Sequence, residues 1–168
     1  MENSRINSEI TRFPASFTST SAEETFALGE RFAATLGKGS IVALKGPLGA
    51  GKTCFVQGVA WGLGVVEPIT SPTYTIVSEY TAPTASPTSL YHIDAYRLRG
   101  GDDFSAIGGE EILFSDGISL IEWSERIEDF IPAGALVIEI EILKDGKRLI
   151  SIHNKGKAKG AAIEYSGA

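Results

Sequence analysis

Apolar residues along the chain follow two spacings, one typical of helices and one typical of strands. From Leu28 to Leu36 they recur every four residues, and Ser21 and Glu24 just before this stretch have the spacing of a capping box. The pattern predicts a helix over residues 22–36. Because the first twenty residues are rich in Ser and Thr and lack a regular apolar pattern, we expect order to begin at Ser21.

Short apolar runs rich in β-branched residues predict strands. Two continuous runs, 41–44 and 118–121, have the pattern of strands covered on both faces. Two hairpins are also predicted, one with a long flexible tip at 81–89 and one with a tight turn at Asp145 and Gly146. Their strands are residues 73–80 and 90–96 in the first and residues 136–143 and 149–153 in the second. Helices are predicted after residue 51 and, as one or two short pieces, over 102–114.

One glycine-rich segment carries specific chemistry. Residues 46–53 match G-x-x-x-x-G-K-[ST] in full and lie between a predicted strand and a predicted helix. The glycines let backbone N–H groups turn toward a β-phosphate, and the positive end of the following helix helps hold the anion. Lys52 adds a cation for the β- and γ-phosphates, and Thr53 offers a hydroxyl to Mg²⁺. We expect nucleotide contacts from Pro47, Leu48, Gly49, Ala50, Gly51, Lys52, Thr53 and Cys54.

A magnesium site also needs a carboxylate, normally at the end of a neighbouring apolar strand. Glu122 follows the run 118–121, and Asp94 follows residues 90–93. A carboxylate there can ligate the metal, hold a metal-bound water or orient the attacking water. Spacing alone leaves the roles of these two acids open.

Composition narrows the class of protein. A chain of 168 residues fits one domain, which we place at 21–154 between tails at 1–20 and 155–168. The net charge of −6 has the wrong sign for a protein that holds nucleic acid by itself. A single cysteine excludes an intramolecular disulfide. No apolar run has the length of a membrane span or a signal peptide, so we expect a cytoplasmic protein without membrane contact.

The sequence indicates the nucleotide base and the type of reaction less clearly than it indicates phosphate binding. The guanine motif N-K-x-D is missing, because Asn154 and Lys155 are followed by glycine and lysine, and adenine is therefore the default base. A small-molecule kinase would need several arginines to clamp a second substrate, and only four follow the loop: Arg97, Arg99, Arg126 and Arg148. The kinase and a nucleotide-gated binding module stay as alternatives to an ATP hydrolase.

Three further motifs accompany the phosphate loop, and with it they resemble the TsaE (YjeE) family of small bacterial P-loop ATPases. They are Ser71-Pro72-Thr73-Tyr74-Thr75, Tyr91-His92-Ile93-Asp94-Ala95-Tyr96-Arg97-Leu98 and Leu120-Ile121-Glu122-Trp123. The resemblance extends over about residues 21–152. It implies an α/β fold, with a single P-loop NTPase domain in which helices flank a mixed central β-sheet.

The resemblance also implies a function and a set of roles. The family acts in making threonylcarbamoyladenosine in tRNA, as an ATPase that supports turnover of the TsaB–TsaD transferase pair. By matched position, Thr53 resembles the Mg²⁺ hydroxyl, Glu122 the acid of the magnesium site, Asp94 the switch acid needed for hydrolysis, and Thr73 a switch threonine near the γ-phosphate. Lys52 completes the expected catalytic set, with ATP and Mg²⁺ bound. Because no arginine finger is visible, we expect ATP hydrolysis to be weak without partner proteins. We also expect the protein to contact tRNA mainly through these partners.

Some residues near the motifs are expected to contact the adenine base or to have a structural role. Adenine contacts in such proteins point to residues 21–25 and to Lys147 or Arg148. We expect packing or an ordinary structural role for His92, Trp123 and Cys54. A thiolate at Cys54 would nevertheless be favoured by the helix N-terminus.

Overall fold

The computed structural model describes residues 13–83, 86–156 and 163–165. The strands are β1 Ala15–Ser19, β2 Ile41–Lys45, β3 Val77–Ala82, β4 Thr88–Asp94, β5 Ile118–Glu122, β6 Leu136–Ile142, β7 Arg148–Asn154 and β8 Ile163–Tyr165. The helices are α1 Ala22–Phe32, α2 Lys52–Gly62, α3 Gly101–Ala106 and α4 Gly109–Leu113, with 3-10 helices at Ala33–Thr35, Ala95–Arg97 and Ser124–Phe130. None of the helices in this described part of the chain has the length and apolar content needed to cross a bilayer.

All eight strands form one sheet, in the order β3-β4-β5-β2-β6-β7-β1-β8. The four strands from β4 to β6 in this order run parallel to their neighbours. Strands β3 and β7 pair antiparallel with the ends of that block, and β1 pairs antiparallel with β7 and parallel with β8. The predicted α/β fold with a mixed central sheet is therefore confirmed.

Strand β2 shows why the apolar run 41–44 is continuous. Val42 and Leu44 pack into one core with the residues of α1 and α2, whereas Ile41 and Ala43 pack into a second core with Phe104 of α3. Successive side chains of a strand point to opposite faces, so a strand with helices on both sides needs apolar residues at every position. The predicted strands β2 and β5 are confirmed, as are both hairpins.

Helix α1 begins at the predicted capping box. The N–H of Glu24 donates to Ser21 Oγ at 3.2 Å, and Glu24 Oε2 accepts from the N–H of Thr20 at 2.6 Å. These bonds satisfy backbone donors that the first helical turn leaves unpaired. The α-helix ends at Phe32, and a 3-10 helix continues to Thr35, one residue short of the predicted end.

Helices α1 and α2 approach each other closely through glycine. A Cβ added to Gly58 of α2 would lie 2.1 Å from the carbonyl oxygen of Phe26 in α1. A Cβ on Gly29 of α1 would lie 2.3 Å from the carbonyl oxygen of Phe55, so the contact is tight from both sides. Any side chain at these positions would have to push the two backbones apart. The N-terminal helix is thereby seated directly on the helix that follows the phosphate loop.

The structure corrects the predicted tail at residues 1–20. Ala15–Ser19 is a strand, in which Ala15 and Ser19 are buried and Ser16 Oγ lies 3.1 Å from Ser151 Oγ. Its pairing partners, β7 and β8, come from the far end of the chain, so no local pattern reveals it. The predicted tail at 155–168 likewise includes the strand β8. The remaining parts of these two tails, at 1–12, 157–162 and 166–168, lie outside the described residues.

The first hairpin also differs from its prediction in its bounds. Strand β3 begins only at Val77, because residues 73–76 form a turn that Ile76 closes by donating its N–H to the carbonyl of Pro72 at 2.7 Å. Strand β4 ends at Asp94, whose side chain caps the following 3-10 helix. The predicted tip at 81–89 is shortened to 83–87, and residues 84 and 85 of it lie outside the described residues.

Candidate nucleotide-binding site

Three parallel strands bring the phosphate loop and both acids to one edge of the sheet. Glu122 is in register with Leu44 on one side and with Asp94 on the other. The loop follows β2 directly at Gly46. Ligands of parallel α/β sheets bind at this edge, where the carboxyl ends of the strands meet.

The phosphate loop ends at Gly51, whose backbone conformation suits glycine and few other residues. Gly51 is the N-cap of α2 and has a φ of 105°, in a region that side-chain-bearing residues rarely adopt. Its carbonyl accepts from the N–H of Phe55 at 2.9 Å, so the helix starts immediately after the turn. The N-terminus of α2, with its partial positive charge, therefore faces the inside of the loop.

Lys52 is held by its own loop. Its Nζ donates to the carbonyl oxygens of Gly46 at 2.6 Å and Pro47 at 3.0 Å, and it lies 3.9 Å from the centre of the Trp123 ring. Burial lowers the pKa of Lys52, and nearby acids, Glu122 foremost, oppose this effect. Trp123 takes a left-handed backbone conformation directly after Glu122 and supplies a cation–π contact as well as packing.

Glu122 is the meeting point of two polar side chains. Thr53 Oγ1 lies 2.8 and 3.0 Å from its two carboxylate oxygens, and His92 Nε2 lies 2.8 Å from Oε1. His92 is completely buried, and its Nδ1 has no partner within the described residues. A carboxylate oxygen only accepts, so His92 is the donor of this bond, through its Nε2–H. His92 thus orients Glu122 from behind.

Asp94 is the centre of a second cluster. Its Oδ2 accepts from Ser71 Oγ at 3.0 Å and from Thr73 Oγ1 at 3.2 Å, and its Oδ1 accepts from the N–H of Tyr96 at 3.0 Å. The two hydroxyls lie 2.9 Å from each other. The turn at 73–76 therefore serves to bring Thr73 onto the carboxylate instead of placing it in a strand.

A cleft of about 440 Å³ joins the two clusters to the phosphate loop. It is lined by Leu48, Gly49, Ala50, Gly51, Lys52, Thr53, Cys54, Ser71, Thr73, Asp94, Tyr96, Glu122 and Trp123. Every residue predicted for catalysis, the metal or the phosphates is in this set except Pro47, whose carbonyl accepts from Lys52. The hydroxyl of Thr53 and the carboxylate of Glu122 are oxygen donors of the kind that Mg²⁺ prefers.

A second cavity of about 330 Å³ lies against the loop and is lined by Ser19, Thr20, Ser21, Ala22, Thr25, Gly49, Ala50, Gly51, Cys54, Gly146 and Arg148. Parts of the segment 21–25, where base contacts are expected, are on its wall. Arg148 is there too, but its guanidinium donates to carbonyls of the loop. Lys147 is not in this lining, and its Nζ lies 3.0 Å from Asp145 Oδ2.

Cys54 borders both cavities. Its thiol donates to the carbonyl oxygen of Ala22 at 3.2 Å. Burial raises the pKa of Cys54, and the carboxylate of Glu23 adds to this effect. The thiol form is therefore favoured at this helix N-terminus, which agrees with a structural role.

Ser71 and His92 have contacts at the site that sequence analysis did not assign to them, and Arg148, named there only for the base, bonds to the phosphate loop. Ser71 and His92 lie inside motifs quoted above, and alternation along β4 places His92 on the same face as Asp94, which was the available signal. No local signal connects Arg148 with the phosphate loop, about a hundred residues earlier in the chain.

Comparisons with known proteins identify the family of this chain. The family model described as Threonylcarbamoyl adenosine biosynthesis protein TsaE matches residues 19–150. The tRNA threonylcarbamoyladenosine biosynthesis protein TsaE of Treponema pallidum (strain Nichols) is 42% identical over 134 residues, 80% of this chain and 96% of the relative. The protein of the same name from Bacillus subtilis (strain 168) is 39% identical over 129 residues, 77% and 78% of the two chains. The structure titled "Crystal structure of Bacillus subtilus YdiB" has a TM-score of 0.68 and 33% identity, covering 86% of this chain and 87% of the other. The resemblance carried by the motifs is confirmed, and the chain belongs to the TsaE family.

Proposed function

We propose that this protein is a Mg²⁺-dependent ATP hydrolase required for the threonylcarbamoyladenosine modification of tRNA, where it supports turnover of the TsaB–TsaD transferase complex. One observation carries the proposal. Lys52, the pair Thr53 and Glu122, and the carboxylate of Asp94 all line a single cleft beside a complete phosphate loop. The names of the curated relatives support the pathway.

The loop and Lys52 bind the phosphates. The N-terminus of α2 attracts the anion, and the flexible side chain of Lys52 exchanges its bonds to Gly46 and Pro47 for phosphate oxygens. Trp123 keeps the ammonium group at the wall of the cleft. Burial lowers the pKa of Lys52, and the negative charge of a bound polyphosphate would raise that pKa again.

Thr53 and Glu122 would hold the magnesium ion, Thr53 through its hydroxyl and Glu122 directly or through a water. Both groups are oxygen donors within hydrogen-bond distance of each other, and His92 fixes the carboxylate. When bound, Mg²⁺ would neutralise charge on the β- and γ-phosphates. The residues of the chain therefore supply the metal site from one loop and one strand end.

Asp94 and Thr73 orient the attacking water. Three hydrogen bonds fix the Asp94 carboxylate in the wall of the cleft, and Thr73 is one of the donors. A fixed carboxylate can accept a hydrogen bond from water and align it for attack. Ser71, Thr73 and the end of β4 thus form the hydrolytic part of the cleft lining.

We expect slow turnover in the absence of partners. Three arginines already have partners: Arg97 lies 4.7 Å from the Tyr74 ring centre, Arg126 lies 5.4 Å from the Tyr96 ring centre, and Arg148 donates to carbonyls of the phosphate loop. With a net charge of −6, the chain also lacks a general means of holding tRNA. Partners would therefore supply stimulation and most of the contact with tRNA.

Site variants test the hydrolase. Lys52→Ala should weaken ATP binding, whereas Asp94→Ala and Glu122→Ala should abolish phosphate release and leave binding less affected. Asp116→Asn is the matched control, because Asp116 is exposed and precedes β5 at its opposite end from Glu122. Normal hydrolysis by Asp94→Ala would show that its assigned role is wrong.

Partner addition tests the proposed place in the pathway. Phosphate release from ATP and Mg²⁺ should be slow with this protein alone and should rise when purified TsaB and TsaD are added. A rate that the two partners leave unchanged would exclude the partner-dependent part of the proposal. Consumption of ATP that depends instead on an added nucleoside or sugar would identify a kinase.

A further inference from the structure

Arg148 connects the C-terminal hairpin to the phosphate loop. It is the first residue of β7, and its Nε donates to the carbonyl oxygen of Ala50 at 3.2 Å. Its Nη2 donates to the carbonyl oxygen of Gly49, also at 3.2 Å, and Nη1 donates to the carbonyl of Gly146 in the hairpin turn. One guanidinium thus contacts two consecutive carbonyls of the loop and anchors itself to its own turn.

These bonds set the direction of two peptide planes. In a planar trans peptide the C=O and the following N–H point in opposite directions. The carbonyls of Gly49 and Ala50 both point toward Arg148, so the N–H groups of Ala50 and Gly51 point away from it. The N–H of Ala50 closes the turn onto the carbonyl of Pro47 at 3.1 Å, and that of Gly51 is directed to the other side of the loop.

The chemistry of arginine suits this task better than a contact with a base. Its planar fork can engage two neighbouring acceptors at once. Three of its five N–H donors are already used by carbonyls. The charge also lies directly behind a loop that receives an anion.

We propose that Arg148 is a positioning residue that holds the phosphate loop in its binding conformation and so raises affinity for the polyphosphate part of the ligand. This inference rests on the proposed nucleotide binding and deepens it. A loop that is ordered before the ligand arrives loses less conformational entropy on binding. The effect of Arg148 is therefore the same for any ligand with the polyphosphate group, whatever its base.

Binding of two ligands separates positioning from base contact. We would titrate ATP and inorganic tripolyphosphate into the full chain by calorimetry, using wild type, Arg148→Gln, Arg148→Lys and the control Lys144→Gln. Lys144 is exposed in the same hairpin, so its variant removes one positive charge nearby. Arg148→Gln should weaken both ligands by the same factor, about tenfold, because binding must then supply the roughly 1.4 kcal/mol that orders the loop. Arg148→Lys should fall in between, and the control should bind as wild type does.

Amide hydrogen exchange of the nucleotide-free protein tests the same inference without any ligand. In Arg148→Gln, exchange at residues 49–52 should accelerate, while exchange in β2 and in the later turns of α2 stays unchanged. A general loss of stability would instead accelerate exchange throughout the sheet.

The two experiments have separable outcomes. A loss confined to ATP, with tripolyphosphate unaffected, would assign Arg148 to the base and overturn the inference. Unchanged exchange at residues 49–52 would also overturn it. If wild type bound neither ligand, the proposed function would fail, and exchange at the loop would still decide whether Arg148 orders it.

Discussion

The close contact between α1 and α2 predicts a measurable cost for the smallest possible side chain. In Gly58→Ala the new Cβ would lie 2.1 Å from the carbonyl oxygen of Phe26 and 3.1 Å from the backbone nitrogen of Glu30. An ordinary contact between carbon and a carbonyl oxygen is about 3.3 Å, so α1 would have to move by about 1 Å. Backbone atoms of a helix cannot rotate away as a flexible side chain can.

The expected magnitude follows from two opposing effects. Replacing glycine by alanine inside a helix gains about 0.5–1 kcal/mol through the unfolded state and helix propensity. Overpacking costs about 1–3 kcal/mol, and a gap of up to 1 Å also removes about a quarter to a half of the dispersion energy between facing atoms. Leu28 and Phe32 of α1 pack in the same core as Phe55 of α2 and would lose contact. We expect a net loss of about 2 kcal/mol in the free energy of unfolding.

Thermal and urea unfolding followed by circular dichroism measure this loss. For a chain of this size, about 2 kcal/mol corresponds to a fall in Tm of about 4–8 °C. Gly37→Ala is the control, because among the described residues Gly37 has no non-neighbouring atom within 4 Å of an added Cβ, and the variant should stay within about 0.5 kcal/mol of wild type. If Gly58→Ala proved as stable as Gly37→Ala, the argument from helix contact would be refuted.

Three further predictions concern polar groups. His92→Leu should weaken Mn²⁺ binding to the protein–nucleotide complex about tenfold, as measured by electron paramagnetic resonance, because Glu122 loses a charged hydrogen bond. His92→Gln keeps a hydrogen-bond donor near the same place and should retain most of the Mn²⁺ affinity. If His92→Leu bound Mn²⁺ as tightly as wild type, the role of His92 in orienting Glu122 would be contradicted. The Arg99 guanidinium lowers the pKa of Asp103 to about 2 from its ordinary 3.8, so their interaction stabilises the fold above pH 4 and is lost as the pH falls toward 2. In Arg99→Gln, carbon NMR titration should return that pKa toward 3.8, and an unmoved midpoint would assign the shift to another cause. Because burial raises the pKa of Cys54, its thiol should react with iodoacetamide at pH 8 more slowly than free cysteine does, and more slowly still when ATP is bound. Mass spectrometry measures the rate of labelling. Labelling faster than that of free cysteine would refute the raised pKa.

The sequence predicts well those elements whose signal is local. The capping box at Ser21, the apolar run at 41–44 and the complete phosphate motif each depend on residues within a few positions of one another. All three have the expected secondary structure, and residues 48–53 of the motif line one cleft. Both acids end strands as predicted. They lie side by side because the ends of neighbouring parallel strands meet at one edge of the sheet.

What the sequence does not predict depends on distant partners. Strand β1 has only five residues and is stabilised by pairing with β7 and β8. Residues 73–76 have the composition of a strand, yet the hydroxyl of Thr73 bonds to Asp94 and the segment folds as a turn. The bond between Arg148 and Ala50 joins residues 98 positions apart. Tertiary contacts override local propensity in each case.

The order of the strands has a consequence for synthesis on the ribosome. Strand β1 is made first, yet its antiparallel partner β7 follows it by more than a hundred residues, and Ser16 meets Ser151. A nascent chain therefore carries the phosphate motif for most of its synthesis without the hairpin that bears Arg148. The wall of the second cavity and the support of the loop form together only after β7 has emerged. Nucleotide affinity should accordingly be acquired late, when translation of the domain is almost complete.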